Sequence, residues 1–243
     1  MGLIISIISG KGGTGKSTVS FGLGTAFGKL GKSVLLVDLD EGLRCLDMLA
    51  GIDDTVVNDL SDILEGSPFD SAIYKAACYD GIYIIPAPLS TGSLNYVNLS
   101  AFTESVKDAF DVIIFDFPAG IDYDKLSAMG NNAFFLTVCN MDPVSLRDAA
   151  LVKNLLPVSK NEPRLIINRF NIEYIKDGVY KGIDDMIDCA GLRLLGLVPG
   201  STELMTLSLS HRLSEKEKPF KAFLRIAKRL SGEDVPLPKP SKI

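Results

Sequence analysis

Apolar residues along the chain fall into short runs, separated by stretches in which they recur with a helical period. Leu3, Ile4, Ile5, Ile7 and Ile8 form a near-continuous aliphatic run, the pattern of a parallel strand covered on both faces. Residues 33–40, 81–88, 111–120, 133–140 and 163–171 read as five further strands. Helices are expected at 17–29, closed by Gly31, at 56–65, at 99–110, and after Asp142, with Asp142 as N-cap and Pro143 as first helical residue. Residues 219–233 place Phe220, Phe223, Leu224, Ala227 and Leu230 on one helical face, expected to pack on the domain. Strands that alternate with helices predict an α/β fold, a three-layer doubly wound sheet that is mainly parallel. No repeat or linker divides the chain, so residues 1–233 are expected to form one domain, followed by a Pro/Lys-containing tail at 234–243.

Composition narrows the class. With 243 residues, 47% of them hydrophobic and 23% charged, the chain can bury one sizeable core and reads as soluble and globular. Its apolar runs fall short of the roughly 20 residues that span a bilayer. No charged segment precedes the first apolar run, as a signal peptide requires. The start also fits the M-G-x-x-x-[ST] pattern of myristoylation, but the same residues are needed as the first strand, and a cytoplasmic protein is expected. Cys45, Cys78, Cys139 and Cys189 are widely scattered, without zinc or iron–sulfur spacing, and are expected to be small buried or half-buried thiols. His211, the one histidine, is expected at the surface, which leaves chemistry to carboxylates, lysines and metal. The net charge of −5 exerts no overall pull on nucleic acid, although residues 211–230 hold seven Lys or Arg against two Glu.

Candidate chemistry begins where the first strand ends. Residues 10–17, GKGGTGKS, fit G-x-x-x-x-G-K-[ST] between a strand and a helix. Gly10, Gly12, Gly13 and Gly15 let the backbone turn its N–H groups inward, and the helix starting near Lys16 adds the positive end of its dipole. Such a loop holds a polyphosphate, with Lys16 at the β- and γ-phosphates and the Ser17 hydroxyl on magnesium. Asp38 and Asp40 stand two apart at the end of the second strand and so share a side. Open α/β sheets bind ligands beyond the carboxyl ends of their strands, where Asp116 also stands, in the position of a Walker B acid holding a magnesium-bound water.

The stretch KGGTGKS, with its early lysine, resembles the deviant Walker A motif of the MinD/ParA superfamily. DLDEGLRCLD at 38–47 is similar to the D-x-D-x-G-L-R-N-L-D pattern of the MinD branch, keeping Gly42, Leu43, Arg44, Leu46 and Asp47, with Cys45 where Asn is usual. DFPAG at 116–120 resembles D-S/T-P-A-G, with Phe117 the departure, and Ser145, Leu146, Arg147 and Asp148 resemble the V-S/T-S-x-R-D segment. The resemblance runs from Gly10 to Glu233 and implies a P-loop NTPase fold, here a Mg-ATP-dependent, slowly hydrolysing ATPase switch used in spatial regulation such as cell-division site placement. It assigns nucleotide contacts to Gly10, Lys11, Gly12, Gly13, Thr14, Gly15, Lys16, Ser17 and Thr18. Asn168 would read the adenine, and Pro199, in a loop at 194–201, would pack on its other side. Catalysis would fall to Lys16, to Asp40 orienting water, and to Lys11 reaching across an ATP-bound homodimer. Magnesium would be held by Ser17, with Asp38 and Asp116 acting through water, and Lys11 and Asp148 would lie on the dimer face. A regulatory protein partner is implied. A ParA-like partition ATPase that binds DNA nonspecifically, or a relative that positions flagella or cargo, is the alternative. MinD proteins usually continue into a second, basic amphipathic helix that lies on the membrane; three prolines stand there in this sequence, so any membrane contact is expected to run through a partner.

Overall fold

The computed structural model describes residues 2–120 and 122–243; the Met1 of the myristoylation pattern lies outside them. Its strands are β1 (Leu3–Ile8), β2 (Val34–Asp38), β3 (Tyr74–Lys75), β4 (Ile82–Ile85), β5 (Val112–Asp116), β6 (Phe134–Cys139), β7 (Arg164–Phe170) and β8 (Arg193–Pro199). They form one sheet in the order β3, β4, β2, β5, β1, β6, β7, β8, parallel throughout except for the β3–β4 pair. The helices are α1 (Lys16–Lys29), α2 (Leu46–Ala50), α3 (Leu60–Leu64), α4 (Tyr96–Val106), α5 (Tyr123–Ser127), α6 (Pro143–Leu155), α7 (Glu173–Lys176), α8 (Ile183–Ala190), α9 (Thr202–Met205), α10 (Leu207–Ser210) and α11 (Lys218–Leu230).

The period of two along β1 explains why its aliphatic run is unbroken. Ile5 and Ile7 enter the core that contains Phe21 of α1 and Phe223 of α11, whereas Ile4 and Ile8 enter the core that contains Leu60 of α3 and Leu99 of α4. A third cluster packs β6, β7 and β8 against Leu146 of α6 and Met186 of α8. Helices thus cover both faces, which gives the three-layer doubly wound architecture of P-loop NTPases. The chain runs from β1 past β5 to β2 and from β5 past β1 to β6, with α1 and α5 on opposite faces of the sheet, and the change of direction between these adjacent strands marks a ligand site at their carboxyl ends.

Four local expectations change. Residues 194–201, read as a loop, belong largely to β8, an edge strand whose pairing with β7 shifts register twice. Gly196 disguises it: a Cβ there would overlap Ile226 of α11, so close helix packing requires the one residue that weakens a strand signal. The helix expected at 56–65 contracts to α3, because Asp59 caps it by accepting from Ser61 N while the Asp62 carboxylate accepts from Asp59 N. Cys139 is buried and Cys45 half-buried, but Cys78 and Cys189 are exposed. His211 is half-buried rather than at the surface, with its Nδ1 3.0 Å from Met48 O.

Residues after α11 pack against the domain. The Arg229 guanidinium donates to Leu195 O at 2.7 Å, Val235 O at 2.7 Å and Pro236 O at 2.8 Å, and Ile243 joins the third cluster. Part of the basic segment is tied to the rest of the chain: Lys228 pairs with Glu233, Lys218 Nζ donates to Ile243 O at 2.7 Å and the Lys221 ammonium donates to Lys216 O, while Arg212, Lys216, Lys218 and Lys221 remain exposed. No helix among the described residues is long and apolar enough to cross a membrane.

The contact between α1 and α11 depends on Gly22, where a Cβ would overlap the Phe223 ring. Gly22→Ala gains about 1 kcal/mol of helix propensity and loses about 1–3 kcal/mol to overpacking, so its midpoint in urea should fall. In a Phe223→Leu background the same substitution should be neutral or stabilising.

Candidate nucleotide site

The loop between β1 and α1 owes its shape to two glycines in the left-handed region, Gly13 (φ 76°) and Gly15 (φ 89°). Gly15 is required twice over, since a Cβ there would also overlap the Asn168 amide. The loop rests on its neighbours: Ser9 Oγ donates to Lys11 O at 2.7 Å, and Gly120 N donates to Ser9 O at 3.1 Å, which ties it to the segment after β5. Thr14 and Lys16 are buried, Ser17 and Thr18 half-buried, and Gly10, Lys11, Gly12 and Gly13 exposed at the rim. Lys16, Ser17 and Asp40 line one pocket of about 500 Å³ with Cys45, Met48 and Met205.

Asp38 and Asp116 are direct register partners at the ends of β2 and β5, and both are fully buried. Burial pushes the Asp116 carboxyl up to about 7; the neighbouring Asp38 charge adds to the rise, while Ser17, Ser20 and Lys16 oppose it. Ser20 Oγ donates to its Oδ1 at 2.9 Å, whereas Oδ2 makes no well-formed hydrogen bond. Burial likewise raises Asp38, to about 6, against three backbone donors: Asp40 N at 2.9 Å, Cys45 N at 2.9 Å and Leu46 N at 3.1 Å. Asp38 therefore shapes the loop from 40 to 46 as well as facing Asp116. Asp40 is half-buried, its carboxyl raised by burial and held back by Lys16 and Lys125.

On the other side of the loop, Asn168 at the end of β7 donates from Nδ2 to Thr14 O at 2.8 Å, while its buried Oδ1 has no partner. It lines a pocket of about 550 Å³ with Gly15, Thr18, Pro199 and Leu204. A free amide oxygen aimed into a partly apolar pocket is suited to accept from the exocyclic amine of a base. Pro199, at the end of β8 rather than in a loop, lines the same pocket.

Lys11 is about half exposed, with its ammonium 3.6 Å from Asp142 Oδ1. Asp148 packs directly over Gly10, where a Cβ would meet its own Cβ at 2.9 Å, so both residues assigned to a dimer face flank the loop's entrance. The two sequence departures differ in kind. Phe117 turns into the core beside Phe115 and keeps only its backbone at the site, where its N–H donates to Ile7 O at 3.1 Å. Cys45 occupies the N-cap of α2 without capping it, its thiol raised to about 11 by burial and the surrounding carboxylates, a state in which it is unreactive. Sequence reasoning missed Lys125, Glu41 and Tyr96, which gather beside Asp40; Glu41 stands at an unspecified position of the 38–47 pattern, the other two lie in no motif, and only folding brings the three segments together.

Among the described residues no group of three or more His, Cys, Asp or Glu is arranged to hold a metal. That excludes a zinc-type cage and suits magnesium, which keeps most of its waters and takes few protein ligands. Ser17, with Asp116 and Asp38 behind it, fits such an ion, and the unpartnered Asp116 Oδ2 is an acceptor ready for one of its waters.

Residues 5–214 match the CobQ/CobB/MinD/ParA nucleotide binding domain. The septum site-determining protein MinD of Bacillus subtilis (strain 168) is 34% identical over 247 residues, spanning 98% of this chain and 92% of its own. Among solved structures, the MinC:MinD cell division protein complex of Aquifex aeolicus contains a chain that matches with a TM-score of 0.86 at 33% identity, covering 98% of this chain and 99% of that one. MinD from Pyrococcus horikoshii OT3, complexed with Mg-ADP, matches with a TM-score of 0.77 at 29% identity over 95% of this chain and 96% of that one. With the glycine loop, the paired acids and the pocket beside Asn168 drawn together and relatives matched along nearly their full length, the chain belongs to the CobQ/CobB/MinD/ParA nucleotide-binding family.

Proposed function

We propose that the chain is an ATPase of the MinD type that binds Mg-ATP, closes into a homodimer over two nucleotides and resets by slow hydrolysis. The observation that carries this reading is the convergence of Lys16, Asp40 and Asp116 beneath the glycine loop, with the unpartnered Asn168 Oδ1 on the far side of that loop. Backbone N–H groups and Lys16 bind the phosphates, Ser17 contributes a hydroxyl to the metal, and Asn168 with Pro199 accommodates the base. Asp40 orients the attacking water. Magnesium, when bound, neutralises phosphate charge. Positioning and charge compensation supply most of the catalysis in such sites, so no strong base is needed. The half-exposed Lys11 is available to a second copy, and exposed Leu43 and Met205 line the pocket that a second copy would cover. The relatives' names support a role in division-site placement with a regulatory protein partner. Reading the chain as a DNA-binding partition ATPase gains little, because the net charge of −5 exerts no overall pull on nucleic acid and residues 38–47 follow the MinD pattern.

Calorimetry should show Mg-ATP binding that Lys16→Ala abolishes. Lys11→Ala should keep most of the binding and lose ATP-dependent dimers in sedimentation; dimers that persist undiminished would remove the trans role of Lys11. Asp40→Ala should bind ATP and release phosphate at a much reduced rate.

The acid pair also predicts a conflict between stability and activity. Because the native pair retains a proton that unfolded carboxylates lose near pH 4, the nucleotide-free protein should lose stability as pH rises from there to about 7, with no further loss from this pair above it. Asp116→Asn should flatten that slope and, at pH 8 without nucleotide, add about 1 kcal/mol, roughly 2–4 °C in Tm for a chain of this length. Hydrolysis should fall in the same variant.

A further inference from the structure

Glu41 follows Asp40 directly, and its side chain is only 10% exposed. Its Oε1 accepts from Ser93 N at 2.7 Å and Leu94 N at 3.0 Å, and its Oε2 accepts from the Tyr96 hydroxyl at 3.1 Å. Lys125 Nζ lies 4.0 Å from Oε2 and 4.6 Å above the Tyr96 ring. One carboxylate therefore gathers three segments that leave neighbouring strands: residues 39–45 after β2, residues 86–95 after β4, and α5 after β5.

Asp40 has little else to hold it. Its N–H donates to Asp38 Oδ1 at 2.9 Å and its C=O accepts from Leu43 N at 3.2 Å, so its place depends on what its neighbours do. Asp38 pins the chain on one side. On the other, Glu41 anchors it to the Ser93–Leu94 backbone, and Gly42, at φ 80°, turns the chain and donates to Pro88 O at 3.0 Å. Lys125 acts on both acids: its ammonium lies 4.0 Å from Glu41 Oε2, and its charge holds back the rise of the Asp40 carboxyl. With the Glu41 charge gone, Asp40 would remain as an acid on which this poorly solvated ammonium already acts.

We propose that Glu41 is a positioning residue for hydrolysis: it clasps the Asp40 loop to the segment before α4 and keeps Lys125 from capturing Asp40. The inference rests on the ATPase reading above. A buried glutamate that merely stabilised a loop would not split binding from turnover; a clasp on the water-orienting acid would, because small displacements of such a group cost rate rather than affinity.

The test is steady-state phosphate release with parallel calorimetry on the full chain. Glu41→Gln keeps an acceptor for Ser93 N and Leu94 N and loses the charge, while its amide NH2 faces the Tyr96 hydroxyl as a donor in place of the acceptor Oε2. Its kcat should fall roughly tenfold or more, with KM and the Kd for Mg-ATP little changed. Adding Lys125→Met removes the competing ammonium and should return most of the lost kcat, a non-additive result. Tyr96→Phe, which loses one hydrogen bond to the clasp, should show a smaller fall. Asn98→Ala, which loosens α4 by removing a 2.8 Å hydrogen bond to Leu64 O without touching Glu41, should leave kcat unchanged. An unaltered kcat in Glu41→Gln, an equal fall in Asn98→Ala, or no recovery with Lys125→Met would overturn the clasp. If wild-type protein bound no Mg-ATP, or released phosphate no faster than Asp40→Ala, the ATPase reading itself would fail and the clasp with it.

Discussion

Two buried carboxylates in direct register repel each other, and the carboxyl edge of the sheet is organised around that repulsion. Asp38 and Asp116 cannot be moved apart without breaking the β2–β5 ladder, and neither is exposed to bulk solvent. The fold compensates with what is close at hand: three backbone N–H groups for Asp38, the Ser17 and Ser20 hydroxyls and the Lys16 charge for Asp116. Each compensating group is itself part of the site. The loop from 40 to 46 bends where it does because its amides turn toward Asp38, and α1 places Ser17 and Ser20 on the face that meets Asp116. Electrostatic strain and site geometry are two aspects of one arrangement, completed when a divalent cation balances the excess charge.

The central strands and the phosphate loop were legible in the sequence because each is set by short-range chemistry. A strand buried on both faces needs an unbroken aliphatic run, and a loop that wraps phosphate needs glycine where φ is positive, as at Gly13 and Gly15. What escaped was set at longer range. β8 hides behind Gly196, which is small for the sake of α11, and β3 is too short to carry a pattern. The cluster of Glu41, Tyr96 and Lys125 joins residues more than eighty positions apart along the chain, and no spacing rule links them. The resemblance supplied the role of Asn168; its amide geometry became visible only in the fold.

Phe117 and Cys45 show how far such a site tolerates substitution. Phe117 gives up a small polar side chain near the phosphates but fills the core beneath them, and the loop path is kept by backbone hydrogen bonds to β1. At Cys45 the backbone N–H, which any residue but proline would offer, continues to serve Asp38, so only the capping of α2 is lost. In both cases the main chain does the work at the site.

The hydrogen bond from Asn168 to the Thr14 carbonyl has one more consequence. It joins the phosphate cradle to the end of β7 with no slack, since the Gly15 Cα lies hard against the same amide. Any ligand long enough to touch both places meets a caliper whose jaws share one bolt: widening either jaw shifts the other. Molecules that possess only a purine, or only a chain of phosphates, load a single jaw and leave the bolt unstressed.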